Sequence, residues 1–292
     1  MKIIFELSEE EQSWWDQTIK DFRADIIKPP TEYLEKYIQY NKIKLSLLKK
    51  DVSSFIYDLR SALWEIYIKD EIRFHQEVIS HLVKSRELPG KILQEVINLK
   101  ILSSDEGPLE KENIYESLSA VIGDYAGRIM PYFYVLSLST TNSRRSRAGK
   151  TFEAIIKYII KVYGYPFEDQ ASLGSDFYKK NNLGKMVDGV LPGKKEYESK
   201  RDKCLVITMK TTLRERWQEV VEELRRTNIP HIYLLTLDWD LTGDTLKTMT
   251  SYNITIVDYD EVKEKFRTQK NIISFNELFN REIPHMLSYW RK

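Results

Sequence analysis

Apolar residues recur at three- and four-residue spacing through TEYLEKYIQYNKIKLSLLKK and DVSSFIYDLRSALWEIYIKD, and this spacing predicts helices across 9–98. Asp51 and Ser53 offer N-cap chemistry to the second of them. ELPGKILQEVINLKIL carries a Pro-Gly break and then another helix. The polar SSDEGPLEKEN (103–113) contains Gly-Pro and is the strongest linker candidate. It divides the chain into a helical N-terminal region, 1–108, and a second region, 109–292. The texture changes after it. AGKTFEAIIKYIIKVYGY reads as a long helix, and KMVDGVLPGKKEYESKRDKCLVITMK as strand, polar turn and strand, with Gly193 in the turn. TLRERWQEVVEELRRT is helical, HIYLLTLD a short buried strand, TGDTLKTMTSYN a helix and ITIVDYD a strand. ISFNELFNREIPHMLSYW closes the chain as a helix. Alternating strands and helices imply an α/β core with a partly parallel sheet.

Composition narrows the function classes. With 42% hydrophobic and 30% charged residues the chain is ordinary for a globular protein. The net charge of +1 gives no global pull toward nucleic acid, so any DNA binding depends on cations gathered in one place. The single cysteine, Cys204, excludes an internal disulfide and a cysteine-based zinc site, and the four histidines are scattered. Any metal site is therefore expected from carboxylates, which suit Mg²⁺ or a similar hard cation. No apolar run is long enough to span a bilayer. The start, MKIIFELSEEEQSWW, does not read as a signal peptide, so a cytoplasmic location in a bacterial or archaeal cell is expected.

The chemistry gathers at VITMKTTLRERW, where a strand ends on a lysine and a charged helix begins. Asp188 lies in MVDGV, Lys210 ends CLVITMK, and Glu223 lies in QEVVEEL on the following helix. The two strands are joined by a turn, so they can be sheet neighbours. A carboxylate and a lysine at one end of a sheet can hold a divalent ion and orient water for attack on phosphorus. A solvated ion pair fits the same spacing, and a helix with Glu215, Glu219, Glu222 and Glu223 also reads as a charge-laced surface helix. Arg214 and Arg216 are equally well partners for acids on their own helix. SRRSRAGK (143–150) places Arg144, Arg145, Arg147 and Lys150 just before a predicted helix, where backbone amides and cations favour phosphate. A solvated basic loop is the alternative.

Taken jointly, RRSRAGKTFE, VDGV, ITMKTTLRERW and EVVEEL resemble the type II restriction endonucleases of the CCGG/CCNGG-cutting group (the SsoII, PspGI and EcoRII catalytic-domain kind) within the PD-(D/E)XK superfamily. The resemblance covers about residues 140–260. It implies a mixed sheet flanked by helices, preceded here by the helical region. It also implies that Asp188 binds metal, that Lys210 is the catalytic lysine, and that Glu223 supplies the second acid. Most of the superfamily carries that acid two residues before the lysine, where this chain has Thr208. Glu153 resembles an additional metal-binding acid on the upstream helix.

The resemblance further implies that Arg214, Glu215 and Arg216 read bases in the major groove, arginine donating to guanine and glutamate accepting from cytosine. Trp64 and Arg60, four residues apart on a predicted helix, are candidates for stacking a flipped base. A buried Trp is the commoner use of such a position. The implied protein is a Mg²⁺-dependent homodimer, or a higher oligomer, acting on double-stranded DNA. It would cut a palindrome containing CC…GG before the first C and leave 5′ overhangs. Two other functions stay open: a structure-specific repair nuclease of the same superfamily, and a non-catalytic DNA-binding protein with an α/β core.

Overall fold

A computed structural model of the chain describes residues 7–43, 45–85, 111–183, 186–213 and 229–291, with 218, 221, 222, 224 and 227 between the last two stretches. The N-terminal part is helical as expected. Helix α1 (Glu9–Ile26) opens on a capping box in which Ser8 and Glu11 satisfy each other's backbone amides. Helices α2 (Pro30–Asn41) and α3 (Leu45–Lys50) replace the single helix predicted over TEYLEKYIQYNKIKLSLLKK; the break falls at Lys42, whose φ is 46°. Helix α4 (Val52–Ser85) runs for 34 residues, and Asp51 caps it by accepting from the Ser54 amide at 3.0 Å. The predicted helix after Pro89-Gly90 lies outside the described residues, as does most of the linker candidate.

Helix α5 (Lys111–Tyr163) is 53 residues long. It absorbs SRRSRAGK, which had been expected just before a helix. Those residues are interior to α5, so their backbone amides are not the free donors of a helix start.

The six-stranded sheet is mixed, in the order β1-β2-β3-β4-β5-β6. The strands are β1 (Glu168–Asp169), β2 (Gly189–Leu191), β3 (Leu205–Lys210), β4 (Ile232–Thr236), β5 (Ile254–Asp258) and β6 (Ile272–Ser274). The first three pair antiparallel and β3 to β6 pair parallel. Parallel strands covered on both faces need mostly apolar or β-branched side chains on both, as in VITM, IYLL and ITIV. Helix α6 (Gln170–Lys180) follows β1, and α7 (Lys194–Ser199) with a 3₁₀ turn (Arg201–Lys203) fills the connection expected as a polar turn. Helices α8 (Gly243–Ser251) and α9 (Asp260–Lys265) form the β4–β5 and β5–β6 crossovers, and α10 (Ile283–Trp290) is the last helix. Ile273 and Ser274, expected as the start of the last helix, instead belong with Ile272 to a strand that pairs with β5.

The described residues fall into two compact units, those within 1–29 and 64–146 and those within 30–63 and 147–292. The division expected at 108 falls outside the described residues, and the grouping differs from a single cut because α4 and α5 each give a segment to both units. The first unit is cored by Trp15, Ile19, Phe74, Val78, Leu82 and Leu136, with the Trp15 indole N–H donating to the Tyr132 carbonyl at 2.9 Å. The second holds the sheet and buries Phe152, Ile155, Ile156 and Ile159 of α5 together with Phe275 and Phe279, the Phe152 and Phe275 rings lying 6.2 Å apart. No helix among the described residues is long and apolar enough to cross a membrane.

Candidate active site

Asp188 stands one residue before β2, where its amide donates to the Ile207 carbonyl at 2.9 Å. The pairing carries it beside the end of β3. Its Oδ2 accepts from the Met209 amide at 2.6 Å, which seats the carboxylate next to Lys210. Burial pushes the Asp188 carboxyl up to about 6. The Met209 amide opposes that rise, the charge of Glu153 adds to it, and Lys210 and Lys157 offset part of it. Glu153 of α5 and Lys210 of β3 are therefore both within electrostatic reach of Asp188 at the β2 entry.

Lys157 was not foreseen. It lies one helical turn after Glu153 and forms a 2.8 Å ion pair with Asp169, whose carboxyl is pulled down to about 2 against the cost of burial, chiefly by this lysine and by Ser172. The i, i+4 spacing from Glu153 was the available signal.

Thr208 occupies the place where most of the superfamily carries an acid. It is fully buried, and its hydroxyl donates to the Met186 carbonyl at 2.6 Å. A carboxylate there would be desolvated and would lose that bond, so an acid at this position carries a substantial free-energy cost. Glu223 lies outside the described residues, as do Arg214, Glu215 and Arg216. Leu213, immediately before them, is 1% exposed.

Among the described residues no group of three or more acids, histidines or cysteines is placed to hold a metal ion. Asp188 and Glu153 nevertheless form a pair of hard oxygen donors that repel one another at a partly buried place. A divalent cation relieves that repulsion, so the donor chemistry fits a hard divalent ion.

The basic segment is divided. Arg144 belongs to the first unit, where it makes a forked bond to Glu71: Nε lies 3.0 and 2.9 Å from the two carboxylate oxygens, and a terminal nitrogen also donates to Oε2. Glu71 is 2% exposed and also accepts from the Tyr67 hydroxyl. Burial alone would raise its carboxyl; Arg144 and Tyr67 hold it below the usual range instead. The expected phosphate role of Arg144 therefore meets a structural one, because a buried carboxylate needs this partner. Arg145 and Lys150 are exposed, and Arg147 lies over the Tyr33 ring at 4.7 Å. Trp64 is not core: it is 40% exposed and tilts against Tyr67 at 5.2 Å. Arg60 acts electrostatically on the Tyr259 hydroxyl.

The family described as EcoRII C terminal matches residues 108–279. The chain is similar to the type II restriction enzyme SsoII of Shigella sonnei, with 33% identity over 227 residues. That alignment takes in 77% of this chain and 66% of the relative, so the chain spans just under two thirds of that enzyme's length. Among solved structures it is similar to metal-depleted Ecl18kI in complex with uncleaved, modified DNA, at 27% identity and a TM-score of 0.77, covering 98% of this chain and 87% of that one. The complex of metal-depleted Ecl18kI with uncleaved DNA gives a TM-score of 0.74 at the same identity, over 97% and 86% of the two chains. A complex of the restriction endonuclease PspGI with substrate DNA shares the fold, at 17% identity and a TM-score of 0.60, over 90% of this chain and 94% of that one.

Proposed function

Since the chain belongs to the EcoRII C-terminal family, we propose that it is a type II restriction endonuclease that cuts both strands of DNA at a palindrome containing CC…GG. The observation that carries the reading is the Asp188 carboxylate, held by the Met209 amide beside Lys210 and within electrostatic reach of Glu153. Asp188, Glu153 and Glu223 would hold Mg²⁺. When bound, the ion supplies charge neutralisation at the phosphate and a more acidic water. Lys210, at the end of β3, stabilises the negative charge that develops on the phosphoryl oxygens. The Met209 N–H fixes one oxygen of Asp188, so the carboxylate meets the reaction already oriented.

Arg214, Glu215 and Arg216 follow Lys210 closely enough in sequence for base reading and cleavage to be mechanically linked. Arg145, Arg147 and Lys150 contact phosphates, and Trp64 is the stacking residue for a flipped central base. Two copies related by a two-fold axis match the palindrome. Cleavage before the first C leaves 5′ overhangs.

The test is digestion of a mapped plasmid with Mg²⁺ and sequencing of the fragment ends. Discrete fragments that begin at CC…GG sites and vanish with Asp188→Ala or Lys210→Ala are expected. Cuts confined to junctions or flaps would sink the proposal in favour of a structure-specific nuclease. Specific binding with no product from the wild-type protein would sink it in favour of a binding protein.

A further inference from the structure

Strand β4 ends at Thr236, which is in register with Lys210 at the end of β3. Two residues further on stands Asp238, only 7% exposed. Both of its carboxylate oxygens are in use. Oδ2 accepts from the Leu213 amide at 2.7 Å, a buried bond between residues 25 apart in sequence, and Oδ1 accepts from the Asp240 amide at 3.1 Å. Burying a carboxylate costs free energy unless it is hydrogen-bonded, and charge-assisted bonds to backbone amides are the strong kind. The bond to Leu213 fastens the point at which the chain leaves the β3 end. Only Thr211, Thr212 and Leu213 separate Lys210 from Arg214.

We infer that Asp238 is a positioning residue for base recognition: by holding the Leu213 amide it fixes where the chain enters Arg214–Arg216 and ties that segment to the catalytic lysine. The inference rests on the reading of Arg214, Glu215 and Arg216 as the base-contacting residues. Its physical logic is short range. Three extended residues reach at most about 10 Å, so the connection has little slack, and a shift at Leu213 passes directly to Arg214. A bidentate arginine–guanine contact depends on two hydrogen bonds formed at once, and both weaken steeply with misalignment. Asp238 itself touches no base and no phosphate in this account. Its loss therefore acts on discrimination and leaves non-specific affinity in place.

The experiment is one titration series, in EDTA, on a duplex carrying CC…GG and on a scrambled duplex. Asp238→Ala is expected to weaken the cognate duplex about ten-fold or more, the scale of one lost bidentate contact, and to leave the scrambled duplex within about two-fold. Asp238→Asn keeps an acceptor for Leu213 and is expected to retain most of the cognate affinity. Should Asp238→Ala fail to fold, Asp238→Glu carries the test, because it keeps the charge but displaces the acceptor by one methylene; selective loss on the cognate duplex is again expected. In an Arg214→Ala background, Asp238→Ala should add less than about two-fold, since the contact it positions is already gone. The inference is overturned if the Asp238 variants weaken both duplexes alike, if they leave the cognate duplex at wild-type affinity, or if their effect multiplies with that of Arg214→Ala. Arg214→Ala measured alone separates the failures. If it is selective and the Asp238 variants are not, this inference falls by itself; if it weakens both duplexes equally, the base-reading premise falls with it.

Discussion

Asp258→Asn isolates one buried charge and makes the stability of the sheet's parallel half depend on pH in a predictable way. Asp258 ends β5, is fully buried, and accepts from the Tyr259 amide at 2.8 Å through Oδ1. Its Oδ2 and the neighbouring Thr236 hydroxyl have no hydrogen-bond partner among the described residues. Burial pushes the carboxyl up from its ordinary 3.8 to about 8. The Tyr259 amide opposes that rise, and the charge of Asp238 reinforces it. Below about pH 4 the group is protonated both folded and unfolded and contributes nothing. Between about 4 and about 8 the folded protein holds a proton that the unfolded chain has released, so stability falls as pH rises, by about 1.4 kcal/mol per pH unit. Above about 8 the loss is complete, at several kcal/mol. Asparagine keeps the shape and one acceptor but carries no proton, so its contribution is flat. Urea unfolding of wild type and Asp258→Asn at a series of pH values and constant ionic strength measures the difference. The variant should match the wild type near pH 4.5 and exceed it in stability by several kcal/mol near pH 8. Parallel stability curves across pH 5–8 would refute the argument, since they would mean Asp258 is ionised in the folded protein at neutral pH.

Arg144→Ala leaves Glu71 buried without its forked partner. It is expected to cost about 1–3 kcal/mol in thermal or urea unfolding, below the usual range for a broken buried pair because the arginine itself is 47% exposed. Arg145→Ala, at an exposed position, should stay within about 0.5 kcal/mol of wild type and act on DNA affinity instead. Thr208→Glu in a Glu223→Ala background should not restore plasmid cleavage and should destabilise the protein by about 3 kcal/mol or more, because the new carboxylate enters a fully buried place; recovered cleavage would show that the position accepts an acid. Gly189→Ala puts a Cβ 2.2 Å from the Phe167 ring and 2.9 Å from the Glu168 carbonyl; a loss of about 1–3 kcal/mol in urea unfolding and weaker cleavage are expected, since the residue follows Asp188 directly.

These tests fall on two kinds of residue, and the difference explains what could be read from the chain. Asp188 and Lys210 were legible because one short connection joins their strands, so antiparallel pairing brings their ends together with no long-range assumption. The parallel strands were legible from their largely apolar, β-branched runs. The segment Arg144–Lys150 was not, because serines, arginines and a glycine suggest a pause in a helix. Tertiary partners carry the helix through instead: Arg144 is fastened to Glu71, and Arg147 lies on Tyr33, each partner more than seventy residues away. Ile273 and Ser274 read as helix because two residues before a helix carry no period of their own; pairing of Ile272–Ser274 with Ile256–Asp258 makes them a strand.

Thr208 and Asp238 mark the same boundary within the candidate site. Thr208 could be seen as the wrong residue for the superfamily pattern, but the reason lies in the Met186 carbonyl it bonds, which no spacing rule supplies. Asp238 closes an apolar strand and reads locally as a turn former. Its bond to Leu213 exists only because β3 and β4 lie side by side in parallel register. Residues that carry chemistry announce themselves by type and spacing. Residues that hold them in place are set by which backbone groups the fold leaves unpaired, and those become visible only once the strands are laid next to one another.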